Sequence, residues 1–165
     1  MGMFDLHPWT RRVWIVAAAC SSLLLALPAA PAIKNTAIVT AAGSKMNDVP
    51  LADLVKLCKG TQKAWPDGRD FLLVIKDPDA PDTRIAIQKL FGLTPGDFKA
   101  LLAKLNETRQ VVKIVGTDDG VMQAVASTPG AIGLVDVYSI NSSVKVLRVD
   151  GKLPFDVGYA LKGNA

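Results

Sequence analysis

From residue 33 onward the chain has no histidine and a single cysteine, Cys58; its one histidine, His7, and its other cysteine, Cys20, lie before that point. One thiol cannot close an internal disulfide, and without imidazole there is no His-ligated metal site. Ser-His-Asp and Cys-His catalysis are excluded with it, since each needs an imidazole base. Charge of one sign is not concentrated either. Residues 33–165 carry 17 Lys and Arg against 14 Asp and Glu, without the clustering that a nucleic-acid partner would need. No internal repeat or low-complexity segment occurs, and no cofactor is implied.

Long apolar runs are scarce as well. The one that stands out is "VWIVAAACSSLLLAL", Val13 to Leu27, preceded by Arg11 and Arg12 and followed by "PAAPA", Pro28 to Ala32. A basic start, a short apolar core and an Ala30-Pro31-Ala32 ending are the marks of a secretory signal peptide. The run is shorter than the roughly 20 residues that a span needs, so cleavage after Ala32 is expected rather than retention as an anchor. Cys20 lies inside the apolar core and is read as part of it, not as a site of lipid attachment. The expected division is therefore a signal peptide over 1–32 and one domain over 33–165, with no membrane span after cleavage. Such a protein is secreted, and periplasmic if its source is Gram-negative.

Within that domain "TAIVTAA", Thr36 to Ala42, reads as a buried strand. A helix follows, with Asp48 as its cap, Pro50 in its first turn and Gly60 at its stop. Leu51, Leu54, Val55 and Cys58 fall on one face, which makes Cys58 a core thiol. "AWPDGRD", Ala64 to Asp70, is a turn over which Trp65 packs, and "FLLVI", Phe71 to Ile75, is a strand covered on both faces. Thr83, Ile87, Leu90 and Phe91 make a second helical stripe ending at Gly92. A third helix starts with Thr94 and Pro95 and buries Phe98, Leu101, Leu102 and Leu105. "VVKIV", Val111 to Val115, is a short strand, and Thr117 caps a fourth helix with Val121, Met122 and Val125 as its apolar face.

"AIGLVDV", Ala131 to Val137, and "VKVLRV", Val144 to Val149, are further strands, the latter alternating Val144, Val146 and Arg148 against Lys145 and Leu147. A turn and a short extended tail end the chain. Strands alternating with helices predict an α/β fold: a single three-layer lobe whose mainly parallel sheet is flanked by helices on both faces.

Two stretches carry a resemblance. "LADLVKLCKGTQKAWPDGRDFLLVIKD" resembles a motif in the phosphate-binding proteins of ABC transporters, where a helix ends at a Gly before a Trp-x-Asp-Gly-like turn. "VGTDDGVMQAVASTPGAIGLVDV" resembles their later signature, a helix running into Pro-Gly-Ala-Ile-Gly and a strand. The resemblance spans roughly residues 35 to 160 and implies a type II periplasmic-binding-protein lobe of the phosphate branch. Such receptors close two lobes on a solute, and residues 33–165 are enough for about one.

The resemblance also directs attention to "KDPDAPDTR", Lys76 to Arg84. In that family a Ser-Gly-Thr motif opens the helix here, with an Arg four residues before the Ser. This chain reads Pro81-Asp82-Thr83, with Asp77 at the Arg position. Helix N-termini attract anions through free N–H groups and the dipole, but three carboxylates, Asp77, Asp79 and Asp82, oppose one here. The stretch is therefore read as a closed entrance in which Asp79 or Asp82 caps the helix. If an anion such as phosphate is held, the expected donors are Thr83, Arg84 and the helix start at Thr117.

A binding module with a weakened site, acting alone or as a homodimer, is one expectation. An interaction protein that contacts an envelope partner is the other. Catalysis is not expected, since Asp118 and Asp119 are helix neighbours that diverge by about 100° and complement the dipole.

Overall fold

The structure is a computed structural model that describes residues 33–164, so the expected signal peptide lies outside the described residues. The strands are β1 (Ile33–Ala41), β2 (Asp48–Val49), β3 (Leu72–Ile75), β4 (Val112–Ile114), β5 (Ala131–Asp136), β6 (Val144–Val146), β7 (Arg148–Val149) and β8 (Lys162–Asn164). The helices are α1 (Leu51–Cys58), α2 (Pro81–Phe91), α3 (Pro95–Leu105) and α4 (Asp118–Ser127), and a 3₁₀ turn covers Val137–Ser139.

The main sheet runs β4-β3-β5-β1-β6, with β8 also on β1, while β2 and β7 form a separate parallel pair. β3 is parallel to both β4 and β5. β1 runs antiparallel to its neighbours β5 and β6, so those two share the direction of β3 and β4. Five of the six strands thus run one way, and the sheet is mixed: two of its pairings are parallel and three are antiparallel, all three made by the one reversed strand, β1. That strand is buried on both sides, which explains its lack of alternation in the sequence: Ile38 enters one core, Ala37 and Val39 the other.

The two cores lie on opposite faces. Leu73 and Ile75 of β3 and Ile132 and Leu134 of β5 pack with α1, α2 and α3; Val74, Ala131 and Val135 pack with Val121, Met122 and Val125 of α4. Gly133 makes the second face possible, since a Cβ there would collide with Val121 Cγ1. Helix α4 therefore lies close on β5 only because that position has no side chain.

Four expectations change in detail. Pro50 is the residue before α1, not within its first turn, and Asp48 is not its cap. The Leu51 N–H instead donates to Asp150 Oδ1 at 3.0 Å, and Asp48 Oδ1 accepts from Gly151 N–H at 2.9 Å. Neighbouring strands β2 and β7 bring these groups together, a pairing that sequence distance hides. On α1 the fully buried residues are Leu54, Leu57 and Cys58, so Leu57 displaces Val55 from the expected face. On α3 only Phe98 is fully buried; Leu101, Leu102 and Leu105 pack half-buried along the core's margin.

The fourth change concerns "VKVLRV", which is not one alternating strand. It divides into β6 and β7, which belong to different sheets, and Leu147 between them is completely buried. The Leu147 N–H still donates to the Ile38 carbonyl of β1 at 2.8 Å, and the in-out order persists: Val144 and Val146 pack in one core and Leu147 and Val149 in the other, so both faces are covered.

Candidate functional site

Ligands in parallel α/β sheets gather at the carboxyl ends of the strands, where helices begin. Here β3 ends at Ile75, and the next residue, Lys76, reaches into the space between two helix N-termini. Its Nζ lies 2.7 Å from Asp82 Oδ2, in the first turn of α2, and 2.8 Å from Asp118 Oδ2, the first residue of α4. The three side chains are 17%, 10% and 18% exposed. Asp118 is held further: its Oδ1 accepts the Asp136 N–H at 3.3 Å and its Oδ2 the Ser139 hydroxyl at 3.4 Å. The network joins β3, α2, α4, the end of β5 and the 3₁₀ turn.

The electrostatics follow from these neighbours. Burial works against the charge on Lys76, but its hydrogen bonds with Asp118 and Asp82 and their negative charges outweigh that and raise its pKa. A cation between two helix N-termini is the chemistry of an anion site. In this chain the anions are its own side chains.

The three entrance carboxylates do not act together. Asp77 Oδ1 accepts the Asp79 N–H at 3.0 Å, and Asp79 Oδ2 pairs with Lys99 Nζ at 2.6 Å, both on exposed ground. Only Asp82 turns inward. Neither Asp79 nor Asp82 caps α2 as expected: the residue before the helix is Ala80, and no side chain caps it. Asp82 is committed to Lys76, and its own carbonyl accepts the Thr36 hydroxyl at 3.1 Å, which ties the start of α2 to β1.

The candidate donors are placed differently from one another. Thr83 is buried, and its hydroxyl has no partner among the described residues. Arg84 is exposed and donates from Nη2 to the Asp79 carbonyl at 3.0 Å, away from the lysine network. Thr117 is exposed and its hydroxyl accepts the Gly120 N–H at 3.1 Å, the cap that the sequence predicts. Thr117 directly precedes Asp118, so it borders the network, whereas Arg84 does not join it.

Sequence reasoning passed over Lys76 and gave Asp118 only a dipole role. The available signal for Lys76 was its position, the first residue past a buried parallel strand. For Asp118 there was none, because 42 residues separate the partners. Trp65 is structural: its indole N–H donates to the Gly130 carbonyl at 2.8 Å and its ring meets Phe71 edge-on at 5.5 Å. Cys58 is fully buried, and burial pushes its thiol pKa far up, so it is no nucleophile.

An ABC-type phosphate transport receptor from Vibrio cholerae superposes with a TM-score of 0.64 at 14% identity, over 79% of this chain and 54% of that one. The chain has the fold of the phosphate-type substrate-binding proteins. PstS from Borrelia burgdorferi shares that fold with a TM-score of 0.58 at 18% identity, over 81% of this chain and 56% of its own. In sequence, phosphate-binding protein PstS 2 of Streptococcus agalactiae is 32% identical over 79 residues, which is 48% of this chain and 26% of that protein. No family model matches. The chain thus spans about half the length of the solved phosphate-receptor structures it matches, and the sequence match covers about a quarter of the streptococcal protein. Among the described residues of this phosphate-receptor-like lobe, no helix is long and apolar enough to cross a membrane.

Proposed function

We propose that this chain is an exported solute-receptor-like lobe, residues 33–165 behind a signal peptide, whose inherited anion site is closed by its own ion pairs. Phosphate is then held weakly or not at all. The observation that carries this reading is Lys76 bound to both Asp82 and Asp118 between two helix N-termini. An incoming anion must displace two carboxylates or sit beside them. At about 4 Å and an effective dielectric near 20, each like-charge contact costs about 4 kcal/mol. Two such contacts, countered only in part by Lys76, offset much of the roughly 8 kcal/mol of a micromolar complex.

A second reading is favoured by the same closure. A receptor fold whose ligand groups neutralise one another still presents large surfaces, and these can serve an envelope partner or a second copy of the chain. The two readings share a test. Calorimetric titration of the purified protein with phosphate, then with sulfate, is expected to show no saturable heat below millimolar concentration. A micromolar dissociation constant for phosphate would refute the closed site and restore the receptor role.

A further inference from the structure

The opposite end of the sheet carries a separate feature. A cleft of about 670 Å³ lies at the amino ends of β3 and β4, lined by the ends of α1 and α3 and by the loop leading into β4. Four cations converge on it: Lys59, Lys63, Lys104 and Arg109. Asp70 is the one acid among the lining residues, and it pairs with Arg109 at 3.0 Å. The three lysines are exposed and form no ion pair among the described residues. Its apolar lining comes from Leu101, Leu105 and Val111.

Helix dipoles explain part of this. Lys59 and Lys104 stand at the C-terminal ends of α1 and α3, where a positive charge is favourable. They do not explain why Lys63 and Arg109, both in loops, line the same cleft. The two helix ends are also held close: a Cβ on Gly60 would stand 3.0 Å from Leu105 Cδ2, which brings the cations of one helix beside those of the other. Three uncompensated charges around an apolar floor form a surface whose complement is acidic and partly apolar. This cleft is separate from the Lys76 network, because the four residues of β3, about 13 Å of strand, lie between them.

We propose that this cleft docks an acidic polypeptide segment of a partner protein, its carboxylates meeting Lys59, Lys63 and Lys104 and its leucine-like side chains resting on Leu101 and Leu105. Opposite charge supplies the encounter and the apolar floor the residence. Docking at this end is independent of whether the carboxyl end holds phosphate.

The test uses the full chain and a fluorescein-labelled peptide of repeated Glu-Leu-Asp units, followed by fluorescence anisotropy. Binding is expected to saturate and to weaken about tenfold between about 50 and 300 mM salt, as screening shortens the reach of the lysines. The double variant Lys59→Glu/Lys63→Glu is expected to weaken it at least about tenfold, with a melting temperature lowered slightly by the acid at the end of α1. Lys63→Glu alone, in a loop, gives the same direction of change should the double variant fold poorly. A peptide with Ser in place of Leu is expected to bind more weakly. Three results would overturn the proposal: no saturation, equal binding by the charge-reversed variants, or tighter binding of polyphosphate or phosphatidylglycerol vesicles than of the peptide.

Discussion

Two segments drew attention in the sequence, and the structure treats them differently. The Pro129-to-Gly133 segment, with its Pro-Gly-Ala-Ile-Gly, is fixed by backbone sterics. Gly130 has φ +83°, and a Cβ there would overlap the Asp70 carbonyl oxygen; Gly133 has no room for a Cβ against Val121. The entrance, Lys76 to Arg84, is built from side chains instead: Lys76 with Asp82, Asp79 with Lys99, Arg84 with a backbone carbonyl. Side-chain chemistry can be exchanged while the fold stands, whereas a forbidden Cβ cannot be accommodated without moving a strand. On the closed-site reading proposed above, the contrast accounts for a scaffold that is kept while its ligand groups are exchanged.

Gly130→Ala attacks the rigid side of that comparison and should have the largest effect. The left-handed backbone costs a residue with a side chain about 1–2 kcal/mol, and overpacking adds about as much again. The Trp65 indole bond to the same residue's carbonyl would be disturbed as well. A loss near 3 kcal/mol is expected, read from denaturant midpoints, with unchanged steepness of the transition. A loss below about 1 kcal/mol would show that β5 can shift at its start, and the steric explanation of the motif would fail.

Lys76→Met tests the side-chain region and should cost less, about 2 kcal/mol. It strands two mostly buried carboxylates beside each other, but their remaining contact with solvent moderates the penalty. The pH dependence has a definite sign. The folded-state pKa of Lys76 is raised: burial opposes its charge, but the bonds to Asp118 and Asp82 prevail. Its stabilisation is therefore complete below the ordinary lysine value of about 10.4 and is lost as pH climbs through the raised folded value. The gap in melting temperature between wild type and Lys76→Met should be constant from pH 7 to about 9 and narrow above pH 10.4. A gap that persists unchanged at higher pH would mean that packing of the lysine stem, not its charge, is what matters.

How much of this was legible beforehand depends on the range of each interaction. The apolar faces of α2 and α4 and the caps at Thr94 and Thr117 are local patterns, and all were readable from residues within a few positions of one another. The Asp150 cap of α1, 99 residues away, and the Asp118 partner of Lys76, 42 away, are set by which strands and helices lie side by side. Leu147 shows the limit within a single stretch: alternation separates its two faces, but the cores on either side decide that both are covered. For the entrance, the sequence shows three acids at the start of a helix where the resemblance places an anion. It did not reveal that Asp77 and Asp79 turn outward and only Asp82 turns in.

Asp82→Asn should have the smallest effect on stability and the most direct bearing on function. Lys76 keeps Asp118 at 2.8 Å, and an amide of the same shape can still occupy the first turn of α2, so a loss of about 1 kcal/mol is expected. What changes is the charge facing the two helix N-termini: one of the two repelling carboxylates is removed, worth about 4 kcal/mol at contact distance. If the entrance is an anion site closed by its own acids, sulfate or phosphate should now bind the variant with a millimolar constant where the wild type gives no heat. Thr83, buried one position away with a hydroxyl that has no partner among the described residues, is a further candidate donor, so Thr83→Val in the same background should abolish the gain. If Asp82→Asn stays silent, neutralising the charge is not enough to reopen the site. The backbone of the Pro81-Asp82-Thr83 turn would then be as decisive here as Gly130 is at the start of β5, and the division between a rigid scaffold and an exchangeable entrance would have to be redrawn.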